Sequence, residues 1–191
     1  EIRALFSVVS RPEVVSLAGG MPNLKDLPLD KLAASAEKLV RNHGAQAMQY
    51  GSGQGWEVLR ERITEVMSYD GIVGADPDDV VVTTGSQQAL DLVTELFVNP
   101  GDVILAEAPS YVGALGVFRA RQADIVHVPM DEHGIIPEAL EETIRDVRSS
   151  GRTIKFIYII PNYHNPAGVT LSAERRPIIA EICLREHVLI V

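Results

Sequence analysis

Short aliphatic runs alternate with helical stretches through the second half of the chain, and this alternation constrains the fold more than any other feature. The runs are Val80-Val81-Val82-Thr83-Thr84, Val103-Ile104-Leu105-Ala106, Ile125 to Val128, Ile154 to Ile160 and the terminal His187-Val188-Leu189-Ile190-Val191. Each has strand length and almost no polar alternation, the pattern of a strand buried on both faces. Between them lie helix-patterned spans: Ser86 to Val98, Tyr111 to Arg121, Pro137 to Ser149 and Ser172 to Glu186, with Asn99-Pro100-Gly101-Asp102 as a turn. Strands that alternate with helices in this way form right-handed βαβ units. The expected fold is therefore α/β, a mostly parallel sheet with helices on both faces. Upstream, Asp30 is expected to cap a helix carrying Leu32, Ala33, Ala36, Leu39 and Val40, and a second helix is expected from Trp56 to Tyr69.

Charge and composition narrow the function. Asp and Glu outnumber Lys and Arg by 26 to 17, for a net charge of -9, which argues against a partner bound through a phosphate backbone. No apolar run approaches the roughly 18 residues of a membrane span. The single cysteine, Cys183, excludes an internal disulfide framework and fits a reducing, cytoplasmic compartment; its apolar neighbours give it a packing role. The histidines show no metal-ligand spacing, and His164 reads as structural or solvent-exposed. The chain starts at Glu1 rather than Met and stops inside an apolar run, so a truncated protein is expected.

Ligands of a parallel sheet gather at the carboxyl ends of its strands, and three of those ends carry unusual residues. Thr83-Thr84-Gly85-Ser86-Gln87-Gln88 turns a strand into a helix whose first amides lack intrahelical acceptors, which suits an anion such as phosphate. A serine in that position also serves as an ordinary N-cap. Ala106-Glu107-Ala108-Pro109-Ser110-Tyr111 sets an aromatic ring just beyond a strand, where it either stacks on a planar ligand or packs at the start of its helix. Asn165-Pro166-Ala167-Gly168 follows the apolar run ending Ile159-Ile160-Pro161 and offers an amide side chain at the sheet rim, although Asn-Pro is also a common turn. An anion cup, a stacking ring and an amide together outline a site for a flat, phosphorylated, oxygen-bearing ring.

The ordered motifs Gly85-Ser86-Gln87, Pro109-Ser110-Tyr111, Pro161-Asn162 and Asn165-Pro166-Ala167-Gly168 resemble those of the fold-type I aminotransferases of class I/II, in the aminoadipate and kynurenine aminotransferase branch. Upstream, Ser16-Leu17-Ala18-Gly19-Gly20-Met21-Pro22 and Gln49-Tyr50-Gly51-Ser52-Gly53-Gln54-Gly55 carry the resemblance over nearly the whole chain. It implies a pyridoxal 5′-phosphate cofactor, with Gly85, Ser86 and Gln87 at the phosphate, Tyr111 stacked on the ring and Asn165 on the ring's 3′-oxygen. It also implies that Tyr50 reaches the phosphate of a neighbouring subunit's cofactor, hence a homodimer with shared sites, and that Gly19 and Gly20 lie against the substrate carboxylate. Tyr50 in a glycine-rich loop and the Gly19-Gly20 pair also have plainer readings, as a packed ring and a turn.

The same resemblance places three groups outside this chain: the Schiff-base lysine, the aspartate at the pyridine nitrogen and the arginine that clamps the substrate carboxylate. Lys25, Lys31, Lys38 and Lys155 are not in the lysine's context, so no catalytic residue is assigned here. Residues 1–70 are expected to form an N-terminal arm and helices, and 71–191 the first part of the large cofactor-binding domain. The implied activity of the intact protein is transfer of an α-amino group between an amino acid and a 2-oxo acid. The alternative reading is an aminotransferase-like effector domain of a helix-turn-helix regulator, which a winged-helix segment upstream of Glu1 would favour.

Overall fold

The computed structural model describes residues 11, 13–15 and 24–191, and the chain divides into two compact units, residues 1–56 and 57–191. In the first unit, helix α1 spans Leu29–Ala47, with Pro28 at its N-cap. The expected cap at Asp30 is corrected. The ladder already begins with the Leu32 N–H donating to the Pro28 carbonyl at 3.1 Å, which leaves Asp30 inside the first turn. There its charge favours the helix dipole without capping. Leu32, Leu39 and Val40 of the predicted apolar stripe are exposed.

The second unit opens with α2 (Glu57–Tyr69) and a 3-10 turn at Pro77–Asp79. Arg60, buried in α2, donates through Nη1 to the Pro77 carbonyl at 2.7 Å and to Asp78 at 2.9 Å. This tie holds α2 to the 3-10 turn. Next come α3 (Gly85–Phe97), β1 (Val103–Ala108), α4 (Val112–Ala120), β2 (Asp124–Asp131), β3 (Gly134–Ile135), α5 (Pro137–Ser149), β4 (Ile154–Tyr158), α6 (Arg175–Arg185) and β5 (Leu189–Ile190). The sheet order is β3-β2-β1-β4-β5. β2, β1, β4 and β5 are parallel, and β3 adds an antiparallel edge.

Side chains leave alternate faces of a strand, and β1 uses both faces fully. Val103 and Leu105 join Leu140, Ile144 and Val147 of α5 and Ile179, Ile182 and Cys183 of α6 in one apolar layer. Ile104 and Ala106 join Leu90 of α3 and Ala114, Leu115 and Phe118 of α4 in the other. The expected two-faced α/β sheet is present. Cys183 is buried in the first layer, and burial pushes its thiol up to about 11, in keeping with a packing role.

Two strand readings are corrected. Val80 to Thr84 is not a strand: Val80 is extended (φ -94, ψ 128), but the sheet places no strand beside this segment, and without a ladder partner an apolar run stays a connecting segment. The two-residue β3 was not read, being too short for a periodic signal; Gly134, at φ +90 and with Leu171 packed against it, makes its turn. Arg175 at the start of α6 then clamps that turn, donating to both carboxylate oxygens of Asp131 at 2.6 and 2.8 Å and to the Gly134 carbonyl at 3.0 Å. The guanidinium holds the Asp131 carboxyl down, to about 2.

Phe118 is fully buried, with edge-to-face contacts to Phe156 and Tyr158 at 5.6 Å each. Phe118→Ala should cost about 3–5 kcal/mol of folding stability, read from urea unfolding midpoints. A loss under about 1 kcal/mol would show that this layer is not a packed core.

Candidate functional site at the β1–β4 crevice

After β1 the chain crosses through α4 to β2, and after β4 it crosses through α6 to β5 on the other side of the sheet. The two crossover helices lie in opposite apolar layers. The strand order therefore reverses between the neighbours β1 and β4, and their carboxyl ends open a crevice of the kind that binds ligands. The β1–β4 ladder stops at Ala106 opposite Tyr158. Beyond that pair the strands are joined by a side chain: Glu107 Oε2 accepts the Ile160 N–H at 2.8 Å.

From β1 the chain turns at Ala108-Pro109, a cis peptide, and reaches Tyr111 at the N-cap of α4. The Tyr111 ring folds back over the first turn of that helix. A Cβ at Gly113 would fall 2.4–2.5 Å from its Cζ, Cε1 and hydroxyl, so the ring's position depends on the glycine. Gln87 of α3 donates through Nε2 to the Gly113 carbonyl at 3.2 Å, which brings the start of α3 and the Tyr111 turn together. At the start of α3, Gly85 adopts φ +75 and its missing side chain would meet nothing within 4 Å. That backbone is open to an approaching group. Thr84 is the N-cap and makes no side-chain cap bond, so Ser86, one residue inside the helix, does not cap it.

From β4 the chain forms a closed loop. The Leu171 N–H donates to the Pro161 carbonyl at 2.9 Å, the His164 N–H to Val169 at 2.8 Å and the Gly168 N–H to the His164 carbonyl at 2.6 Å. His164 is buried while its neighbours Tyr163 and Asn165 are exposed. The loop thus anchors its histidine inward and displays Asn165, which precedes a cis proline. His164 Nδ1 accepts the Ala167 N–H at 3.3 Å, so in the neutral ring the proton sits on Nε2. Nε2 lies 3.0 Å from Glu107 Oε2, off the line of a hydrogen bond and with no other acceptor. Both side chains are within 2% of complete burial.

Burial raises the Glu107 carboxyl from 4.5 to about 7, against the pull of the Ile160 N–H, and lowers the His164 imidazole. Burial raises the Tyr158 phenol as well, with Tyr111 and Glu107 adding to the effect. Sequence reasoning missed Glu107. Its signal was a lone acidic residue between two alanines at the end of a core strand, a place where a carboxylate is costly unless it has partners. Ser110 Oγ, also buried beside Tyr111, has no hydrogen-bond partner.

The structure brings Gln87 and Tyr111 together at Gly113 and sets Ser86 at the open start of α3. Asn165 stands on the loop whose histidine touches Glu107. Tyr50 belongs to the first unit and is fully exposed, and Gly19 and Gly20 lie outside the described residues. Lys155 pairs with Asp102 at 3.3 Å, at the amino ends of β4 and β1 and away from the crevice. Among the described residues no helix is long and apolar enough to cross a membrane.

An α/β sheet with an open helix start at Gly85, an aromatic ring at Tyr111 and an exposed amide at Asn165 near one strand-order reversal is an architecture suited to ligands. The comparisons specify it. Residues 12–191 match the family described as aminotransferase class I and II. The chain is 37% identical over its whole length to aromatic-amino-acid aminotransferase 1 of Thermococcus litoralis, covering 46% of that protein. It superposes with a TM-score of 0.90 and 34% identity on kynurenine aminotransferase of Pyrococcus horikoshii in complex with PMP, across 99% of this chain and 46% of that one. The α-aminoadipate aminotransferase LysN of Thermus thermophilus, complexed with N-(5′-phosphopyridoxyl)-L-leucine, matches with a TM-score of 0.85 and 33% identity, across 99% and 44%. An uncharacterized helix-turn-helix-type transcriptional regulator of Escherichia coli is more distant, at 28% identity over the whole chain and 39% of its own length. The chain belongs to the class I and II aminotransferase family, and it spans about half the length of the curated relatives it matches.

The raised Glu107 carboxyl makes a signed prediction. The folded chain holds this proton more tightly than the unfolded chain, so the contribution is fully present below 4.5 and is lost as pH rises through about 7. Glu107→Gln keeps an acceptor for Ile160 and removes the titration. Its stability relative to the parent should rise between pH 5 and pH 8 by on the order of 1–3 kcal/mol, measured by urea unfolding at both values. A pH-independent difference would show that Glu107 titrates normally.

Proposed function

We propose that this chain is the first half of a pyridoxal-phosphate-dependent aminotransferase, which moves an α-amino group between an amino acid and a 2-oxo acid. In this reading residues 71–191 begin the cofactor-binding domain and residues 1–70 form an arm and helices. The observation that carries it is the convergence of Gln87 and Tyr111 on Gly113, beside the reversal crevice on whose other strand end Asn165 stands.

The residues present fit the cofactor. The positive φ and empty surroundings of Gly85 leave space at a helix N-terminus, the Ser86 hydroxyl adds a donor, and the first helical amides favour a phosphate. The buried, unpartnered Ser110 hydroxyl adds a donor beside the aromatic wall. Gly85, Ser86 and Gln87 hold the phosphate, Tyr111 covers one face of the ring and Asn165 donates its amide to the 3′-oxygen. The bound cofactor supplies an electron sink for the substrate's α-carbon. This chain's part is to bind that sink, keep water from its ring face and fix the proton balance at the 3′-oxygen. In the same reading Tyr50 serves the neighbouring subunit's phosphate in a homodimer, and Gly19 and Gly20 line the substrate carboxylate.

In this reading the residues named here bind and orient, and none of them abstracts the proton. The similarity to aromatic, kynurenine and aminoadipate aminotransferases supports amino acids with large or dicarboxylic side chains as substrates, and the single cysteine fits a reducing, cytoplasmic setting. The effector-domain alternative rests on the more distant regulator and ranks second.

In the full-length protein, Ser86→Ala should weaken pyridoxal phosphate binding roughly 10–100-fold, the loss of one charge-assisted hydrogen bond. Tyr111→Ala should weaken it roughly 5–20-fold through the lost stacking area. Both are read by titrating the apoprotein and following visible absorbance. Unchanged affinity in both variants would remove this crevice as the cofactor site.

A further inference from the structure

Glu107 and His164 are the polar groups most deeply buried near the crevice, and neither has a part in the scheme above. A buried carboxylate beside an imidazole adds little to folding stability, since a well-packed apolar pair of similar volume is often neutral or stabilising. Their placement suggests a different use. Glu107 stands on β1 just past the last β1–β4 ladder pair, where the strands part to open the crevice. Its Oε2 holds the Ile160 N–H at 2.8 Å and faces His164 Nε2 at 3.0 Å. One oxygen atom therefore touches both the exit of β4 and the anchor of the loop displaying Asn165. On its own strand, Glu107 precedes the turn that delivers Tyr111.

We propose that Glu107 is a positioning residue: acting through His164, it fixes the Asn165 amide relative to the Tyr111 ring. His164 transmits the constraint because its ring and backbone are both engaged. Nδ1 accepts the Ala167 N–H within the loop, and its main chain is bonded to Val169 and Gly168. The imidazole and the backbone leading into Asn165 are thus tied into one loop. The titratable groups facing Glu107 are His164, the phenol of Tyr158 and, on β2, His127, whose Nδ1 lies 3.2 Å from the Glu107 carbonyl, and no Lys or Arg bonds to the Glu107 carboxyl among the described residues. The hold consists of the Ile160 hydrogen bond and close contact with the imidazole, and neither needs a cation. This inference rests on Asn165 being a cofactor contact.

The test uses the full-length protein loaded with pyridoxal phosphate and reads the pH midpoint of its visible absorbance. Asn165→Ala should shift that midpoint by about one unit, as expected for losing a hydrogen bond to one protonation state of the ring. Glu107→Leu should shift it in the same direction by roughly half a unit or more. Glu107→Gln, which keeps an oxygen for Ile160 and His164, should restore the native midpoint. Adding Glu107→Leu to Asn165→Ala should produce no further shift. Glu107→Ala, which leaves room for water, is read the same way if the leucine variant does not fold. A Glu107→Leu protein with a lower melting temperature but the native midpoint would overturn the positioning role, as would additive shifts in the double variant. An unshifted Asn165→Ala midpoint would instead overturn the cofactor reading itself, and the inference with it.

Discussion

Two neighbouring parallel strands that part company organise this molecule. Up to Ala106 and Tyr158, β1 and β4 share a backbone ladder; past that point their connections leave for opposite faces of the sheet, and the ladder has nothing left to pair. Buried N–H groups left there carry a penalty comparable to a lost hydrogen bond. Glu107 resolves it for Ile160 with a side-chain oxygen in place of a backbone carbonyl. The crevice, the ring of Tyr111 and the loop of Asn165 all follow from where that substitution occurs.

The rest of the second unit keeps this opening rigid. β1 is sandwiched between two apolar layers, and Val103 to Ala106 have no exposed surface. A strand so enclosed cannot shift register without moving side chains into the wrong layer. The Arg175 clamp on Asp131 and Gly134 fastens the start of α6 to the far edge of the sheet, and Arg60 fastens α2 to the 3-10 turn. Binding groups mounted on turns gain precision from such a scaffold.

Local signals made much of this legible in the sequence. The helix over Pro137–Ser149 was read to the residue, because proline opens it and its apolar spacing is regular. Ser86-Gln87, Tyr111 and Asn165 stood out in the sequence because each follows an apolar run with turn chemistry attached, and their positions at the starts of α3 and α4 and on the loop after β4 follow from the same local signals. Non-local information was not available to the same reading. Val80 to Thr84 has strand composition but no ladder partner beside it, and partnership is not written into the run itself. Glu107 and His164 lie on different strand ends, each unremarkable alone; only the reversal of strand order makes them neighbours. His164 was read as structural or solvent-exposed; it is buried, and nothing in its local context pointed to a carboxylate 3.0 Å away. Asp30 misled for the opposite reason, since a good capping residue stood two positions inside a helix that a proline had already started.

The contact of Tyr111 with Gly113 couples two positions that look independent in the sequence. The glycine has no unusual φ to explain it; it is small because the ring occupies the volume a methyl group would need. Substitution tolerance at 113 is therefore conditional on the residue at 111. In a chain where 111 carries a short side chain, alanine becomes admissible at 113. Where an aromatic ring is retained at 111, any larger residue at 113 displaces that ring from the wall of the crevice. A variant library that randomises position 113 while keeping Tyr111 therefore samples mostly misplaced rings.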